Sequence, residues 1–355
     1  MAKKVYLLGA GAAFLYGAPS TSDLTKSLAG LCPLNMSIHK CLEKYIGPDD
    51  YYFETLLSAL EFIITDAEQR GKESYHFSIA PALSCLKWRF RKGDAKRAYL
   101  ESINYIIDQI SSYSFDRYES KDDLVFHHFT GESENHIYSL NYDRIIPEIF
   151  HKKNVSFSDG TTNGSAFNQN IRSFVSDRNT FFNVHGSIYL YQEPLALYDV
   201  FQGVGPSQIK YLYPIKGGNP RERSYFTPII SGYSKTQHIM SKPFSFGVSA
   251  LAADLQDCDE LEIIGYSFSD VHINGLLDSF FDFKKKELTV VDYFPKCNFQ
   301  NRVEALQEEL SVFYKNLPDN YHIEGEMLMY HQQKLRVFPN GVQKFLQLSQ
   351  VVSDN

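Results

Sequence analysis

"VYLLGAGAAFLYGAPS", residues 5–20, decides how the rest of the chain is read. Together with Lys3 and Lys4 it begins as a short apolar run, the pattern of a buried strand, and breaks at Gly9. Two closely spaced glycines, Gly9 and Gly11, follow, then Gly17 and Pro19. The two lysines ahead of an apolar run imitate a secretion signal. Glycines at 9, 11 and 17 weaken a helical signal core, however, and they have a better use. A Gly-x-Gly turn between a strand and a helix lets backbone N–H groups approach a pyrophosphate. A dehydrogenase loop would need a third glycine where Phe14 stands and an acidic residue about 20 positions on. No Asp or Glu lies between Leu24 and Leu42, so hydride-transfer chemistry loses both supports. On its own, the turn is equally a tight structural feature.

Working outward, residues 52–70 place Phe53, Leu56, Leu57, Leu60, Ile63 and Ile64 on one helical stripe. Residues 98–110 repeat the pattern with Leu100, Ile103, Ile106, Ile107 and Ile110. Residues 30–125 are therefore expected to form a helical block. Short apolar runs at 136–140, 180–184, 261–264 and 287–292 are expected to be buried parallel strands with functional residues at their C-terminal ends. Residues 152–179 are polar and loop-like, 191–225 form an irregular insertion, and 341–350 are expected to be helical. The expected fold is a Rossmann-like parallel α/β sheet with a large helical insertion. Its catalytic domain would combine 1–29 with 126–300, followed by a C-terminal extension over 301–355.

Composition narrows the function. A net charge of −7 argues against a general nucleic-acid binder, which needs a basic surface. No stretch approaches the roughly 20 apolar residues that span a bilayer. The five cysteines, Cys32, Cys41, Cys85, Cys258 and Cys297, include no C-x-x-C pair. A thiolate zinc site and a disulfide scaffold are both disfavoured, and a reducing cytoplasm is the expected compartment. The adjacent His127 and His128 point different ways in any regular element, so no metal site is expected there either.

Four motifs then carry a resemblance. "GAGAAFLYGAPS" (9–20) is similar to the sirtuin nucleotide loop, with Ala13 for its serine and Ser20, Thr21 and Ser22 for its Asp-Phe-Arg. "SLNYDRIIPEIF" (139–150) resembles the sirtuin Q-N-x-D segment through Asn141 and Asp143. "FNVHGSIY" (182–189) resembles the V-H-G segment that carries the catalytic histidine, here His185. "EIIGYSFSDVHIN" (262–274) resembles the later G-x-S motif through Gly265 and Ser267, in a form closer to bacterial sirtuin-like defence proteins than to deacylases. "LTVVDYFP" (288–295) follows, with Asp292 where sirtuins place an Asn at the adenosine ribose. The four occur in the family's order, each at the end of an expected strand.

The resemblance implies an NAD+-consuming enzyme: an NAD+ glycohydrolase releasing ADP-ribose and nicotinamide, acting in bacterial anti-phage abortive infection. Asn141 and His185 would be catalytic, and Gly9, Ala10, Gly11, Ala12, Pro19, Asp143, Gly265, Ser267 and Asp292 would bind the dinucleotide, with NAD as substrate and no metal. It further implies a homo-oligomer, or work beside a partner ATPase or phage-sensing protein. The alternatives are a protein deacylase or ADP-ribosyltransferase, and a module that senses NAD+ or ADP-ribose without turnover. A deacylase would need the family's zinc ribbon, whose C-x-x-C pairs this chain lacks, and 227–235 only faintly echoes the peptide-binding segment. Read without the family, Asp143 is as well explained as a cap on the following helix, and Asp270 and His272 stand equally between capping and the site.

Overall fold

The structure is a computed structural model that describes residues 2–47, 51–69, 83, 92–115, 119–130, 133–160, 170–188, 190–192, 201–203, 235, 239–240, 244–292, 310, 321–324, 326–330 and 334–353. The strands are β1 (Lys3–Leu8), β2 (Glu134–Ser139), β3 (Asn179–Asn183), β4 (Leu190–Gln192), β5 (Phe201–Gly203), β6 (Glu260–Ile264), β7 (Glu287–Val291), β8 (His322–Glu324), β9 (Met327–Tyr330) and β10 (Leu335–Phe338). The helices are α1 (Thr21–Gly30), α2 (Pro33–Tyr45), α3 (Phe53–Gln69), α4 (Lys92–Phe115), α5 (Glu119–Phe129), α6 (Ile145–Lys152), α7 (Ile171–Phe174), α8 (Phe244–Asp257), α9 (Val271–Phe280) and α10 (Val342–Ser353). A 3-10 helix, Ala10–Tyr16, leads out of β1.

Among the described residues the main sheet runs β3-β2-β1-β6-β7-β10-β9-β8. Its first six strands are parallel; β9 pairs antiparallel with β10, and β8 antiparallel with β9. This is a Rossmann-like doubly wound arrangement. The chain builds outward from β1 to β3, then restarts on the other side of β1 with β6. The topological switch point, where such sheets bind ligands beyond their carboxyl ends, therefore lies between β1 and β6. The strand expected at residues 3–8 is β1, and the four later apolar runs are β2, β3, β6 and β7, each within two residues of the expected bounds. The sheet also continues into β8–β10, within the segment that sequence reading set apart as an extension.

The central strands are buried on both faces, so side chains alternate between two cores. Val5, Leu7, Leu261 and Ile263 pack with Ala250 and Leu251 of α8 and Ile273 and Leu277 of α9. Tyr6, Leu8 and Ile264 pack on the opposite face with Val125 and Phe129 of α5, Ile149 of α6 and Phe345 of α10. A third core belongs to the helical block, where Leu28, Ile38, Leu57, Leu60, Ile103 and Ile106 interlock. Tyr142 and Ile188, from the loops after β2 and β3, belong to that third core. The block is thereby seated on the strand ends that carry the motifs. Within the block Cys41 is disulfide-bonded, an exception to the expected absence of disulfides, whereas Cys32 and Cys258 are free thiols. The insertion expected at 191–225 lies almost wholly outside the described residues, as do Cys85 and Cys297.

One buried charge cluster spans the sheet far from the carboxyl ends. Glu262, only 1% exposed, lies 2.8 Å from Lys4 Nζ and 2.5 Å from His128 Nε2. Burial favours the neutral acid, but His128 and Lys4 outweigh it and hold the carboxyl at about 2, against an ordinary 4.5. A carboxyl depressed by folding stabilises the protein fully above its unfolded value and loses that contribution as pH falls toward the folded one. Between pH 4.5 and 2, stability is therefore expected to drop by a share on the order of 3 kcal/mol from this group alone. Urea titrations across that window should show a shallower acid slope in Glu262→Gln than in the parent. Equal slopes would show that the cluster is not coupled to folding.

Candidate active site

A cleft of about 360 Å³ opens at the carboxyl ends of the strands flanking the switch point, within the size range of small-molecule sites. Gly9 and Ala10 line it from the end of β1, Leu140, Asn141 and Tyr142 from β2, His185 from β3, and Gly265, Ser267 and Asp270 from β6. Pro19, Ser20, Thr21 and Ser22 bring in the start of α1. The helical block supplies a wall through Tyr52, Glu54 and Tyr113. Asn141 and His185, more than forty residues apart in sequence, thus face one cavity.

Each is fixed by its own turn. The Asn141 side-chain amide donates to the Gly9 carbonyl at 2.9 Å, tying the β2 loop to the glycine loop. That leaves its Oδ1 as the acceptor available to a ligand. Asn183, the last residue of β3, donates to the carbonyls of Asn141 and Asp143 at 2.8 and 2.9 Å. The Ser187 hydroxyl and the Ile188 N–H both donate to the Tyr142 carbonyl at 2.9 Å. The loops carrying Asn141 and His185 are therefore bonded to each other on both sides of the histidine.

The glycine loop also meets a demand that its sequence did not show. Gly9 N–H donates to the Ile264 carbonyl and Gly11 N–H to the Gly265 carbonyl, both at 2.9 Å, and Ala12 N–H donates back to the Gly9 carbonyl at 3.0 Å. These three donors are engaged within the protein. A Cβ at Gly9 would lie 2.4 Å from Gly265 O, and one at Gly11 2.7 Å from Gly265 Cα. The glycines let two strand-end loops cross in backbone contact.

The remaining sequence candidates fall elsewhere. Ala12 and Asp143 line a separate small cavity behind the loop. Asp143 is buried, and its carboxylate accepts from the Ile145 N–H at 3.1 Å, at the start of α6. Asp292 closes β7, its N–H donating to Phe338 and its carbonyl accepting from Gly341. It is absent from the described lining of the cleft.

The 265–270 loop is braced from α9. The Tyr266 hydroxyl donates to the Asp270 carbonyl at 3.0 Å and also meets Asn274 Oδ1 at 2.8 Å. Asn274 in turn donates to the Phe268 carbonyl at 2.6 Å, holding Phe268 at φ +54°, an uncommon left-handed conformation for a bulky residue. These bonds give the G-Y-S-x-x-D-x-H-I-N string a physical reading. Asp270 has both of the roles that sequence left open. Oδ1 caps α9 by accepting from His272 and Ile273 N–H, while Oδ2 lies 3.2 Å from His185 Nε2 and 2.7 Å from Lys235 Nζ.

Lys235 and Glu54 are the site residues that sequence reading missed. Lys235 sits between Asp270 and Glu54, whose Oε2 is 3.7 Å away, and the Tyr142 hydroxyl donates to Glu54 Oε1 at 3.4 Å. Burial raises the Tyr142 hydroxyl well above its ordinary range, and Glu54 adds to the shift. Burial also opposes ionisation of Asp270, but His185 and Lys235 prevail and hold its carboxyl well below the usual carboxylate range. Lys235 is the sole lysine or arginine among the described residues lining the cleft. Among the described residues no group of His, Cys, Asp and Glu is arranged to hold a metal, and no helix is long and apolar enough to cross a membrane.

No protein-family model matches the chain, and no curated protein does. Similar solved structures include a Sir2 homologue in complex with NAD, at 9% identity over 99% of this chain and 90% of that one, with TM-score 0.46. A mutant Sir2 homologue in complex with 2′-O-acetyl ADP ribose aligns at 11% identity over 90% and 95%, with TM-score 0.42. A Sir2 complex with the inhibitor EX-527, 2′-O-acetyl-ADP-ribose and deacetylated p53 peptide aligns at 10% identity over 99% and 94%, with TM-score 0.38. Likeness at this level assigns no activity to this chain.

Proposed function

We propose that the chain is an NAD+ glycohydrolase that cleaves NAD+ to ADP-ribose and nicotinamide at this cleft. The observation that carries the reading is the meeting of Asn141, His185 and Asp270 in one cavity at the topological switch point. The pyridinium leaving group departs with the electron pair of its C1′–N bond and needs no acid. The site must instead stabilise an oxocarbenium-like transition state and deliver water to the exposed face. Asn141 Oδ1, left available by the bond from its amide nitrogen to Gly9, suits a water or a ribose hydroxyl. His185 suits the role of proton acceptor.

With three loop N–H groups engaged, the dinucleotide's diphosphate draws on further positive groups besides what the loop still offers. Lys235 and the N-terminus of α1, where Ser20, Thr21 and Ser22 line the cleft, supply them. Lys235→Ala is accordingly expected to raise KM for NAD+ about tenfold, a change of roughly 1.4 kcal/mol, and to affect kcat less. Initial rates over a range of NAD+ concentrations separate the two. An unchanged KM would remove Lys235 from substrate binding.

The decisive assay mixes the protein with NAD+ alone and follows nicotinamide by chromatography, with an acyl-lysine peptide added in parallel. Nicotinamide released without peptide supports hydrolysis. Release that depends on peptide favours the deacylase reading, which the missing C-x-x-C pairs argue against. Calorimetric binding of NAD+ without turnover favours a sensor. The cellular reading, an effector of anti-phage abortive infection acting as a homo-oligomer or beside an ATPase or phage-sensing partner, is supported by the form of the 262–274 motif. It is tested by intracellular NAD+ during phage challenge, which should fall in the parent and hold in a His185 variant.

A further inference from the structure

We infer that Asp270 is the positioning residue of this site: it holds His185 as the Nε2–H tautomer, so that Nδ1 is the nitrogen that accepts the reaction proton. The inference rests on the glycohydrolase reading and names the nitrogen that acts within it. His185 is 4% exposed, and its Nε2 is fully enclosed without an aligned hydrogen bond. Asp270 Oδ2 is likewise enclosed without an aligned hydrogen bond, 3.2 Å from Nε2 and paired in charge with Lys235 Nζ at 2.7 Å. A bare nitrogen lone pair facing a buried carboxylate oxygen sets two acceptors against each other at a cost of a few kcal/mol. A proton on Nε2 turns the same approach into a charge-assisted donor–acceptor pair. Catalytic contacts that are loosely aligned in a free enzyme commonly tighten when substrate binds.

Two features separate this from helix capping. Capping uses Oδ1 alone, through His272 and Ile273 N–H, and an uncharged side chain would serve it. Oδ2, which is not needed for the cap, is the oxygen shared by His185 and Lys235. Nδ1 makes no hydrogen bond among the described residues, so it is the ring nitrogen left for a water in the cleft.

The step balances. The C1′–N bond breaks and its electron pair neutralises the pyridinium nitrogen. A water oxygen bonds to C1′, and the proton it sheds passes to Nδ1. The resulting imidazolium faces Asp270 and then returns the proton to solvent. The groups that face this pair are Lys235, Glu54 across from it and the Tyr142 hydroxyl beyond.

Asp270→Asn tests the inference. Asparagine caps a helix as well as aspartate does, so α9 should stay capped, and any fall in Tm reports the lost Lys235 ion pair and is matched against Lys235→Ala. Its amide N–H, however, now faces Nε2 and forces the proton to Nδ1. We expect kcat for nicotinamide release to fall on the order of a hundredfold or more, with KM little changed. Nitrogen-15 NMR of histidine-labelled protein should show His185 as Nε2–H in the parent and as Nδ1–H in the variant. A parent in the Nδ1–H form, or an Asp270→Asn enzyme within threefold of parental kcat, would overturn the assignment. The tautomer is read without substrate. An inactive parent would therefore sink the glycohydrolase reading while the NMR result still decides the pairing.

Discussion

His185→Ala is expected to cut the rate of nicotinamide release by about three orders of magnitude, at the upper part of the range for losing a general base and its positioning. The protein should remain folded. The loop carrying His185 is held by backbone and serine bonds to Tyr142, which do not involve the imidazole. Asp270 keeps both its capping bonds and the Lys235 contact when the ring is removed. Asn141→Ala is expected to reduce the rate comparably, but with a structural cost. It removes the 2.9 Å bond to the Gly9 carbonyl and frees the β2 loop from the glycine loop. The pair is therefore informative together. Single-turnover release of nicotinamide reads chemistry, and thermal melting reads the fold. A His185→Ala protein that melts like the parent and turns over at parental rate would remove the histidine from the reaction. The cleft would then be a binding pocket. If both variants lose activity and only Asn141→Ala loses several degrees of Tm, the two residues divide as the geometry implies, one chemical and one both chemical and architectural.

How far this site was legible in sequence depended on the kind of signal each residue gives. Gly9, Asn141, His185 and Gly265 stand at the ends of short apolar runs, where a parallel sheet presents its ligand-binding loops. The strand pattern and the motifs pointed to the same places, and the structure brings them around one cleft. Glu54 was invisible for the opposite reason. It sits on a helix recognised by its apolar stripe, and a carboxylate on the polar face of such a helix looks like any solvated charge. Lys235 lies in a stretch without periodicity, and its partners are 35 and 181 positions away. Asp270 was ambiguous because its two oxygens do two jobs, and sequence offers no way to count oxygens. The strands β8–β10 went unread because they are three or four residues long and β8 is exposed throughout, too short for alternation to register. The glycine loop was found, but one demand placed on it was not legible. Pattern showed that close approach was required, and only the fold showed that the approaching partner was another loop of the same chain.

That last distinction carries the second large prediction. Gly265 has φ +63°, and a Cβ built there would lie 2.4 Å from both Ala12 N and the Gly11 carbonyl carbon. Gly17 also has a left-handed φ, +84°, but a Cβ there meets nothing within 4 Å. The pair separates two costs that glycine substitutions usually confound. Gly17→Ala bears only the conformational penalty, about 1 kcal/mol. Gly265→Ala adds a collision with backbone atoms, which no side-chain rotation relieves, so β1 and β6 must part at their carboxyl ends. Parting them stretches the Gly9-to-Ile264 and Gly11-to-Gly265 bonds and moves the Gly9 carbonyl away from Asn141. We expect Gly265→Ala to lose about 4 kcal/mol or more in urea unfolding, and to lose nicotinamide release even at temperatures where it stays folded. If the glycines instead existed mainly to admit a phosphate, Gly265→Ala would match Gly17→Ala in stability and differ from the parent only in KM. Equal stabilities of the two alanine variants would show that the crossing of the two loops is not what demands glycine at this position.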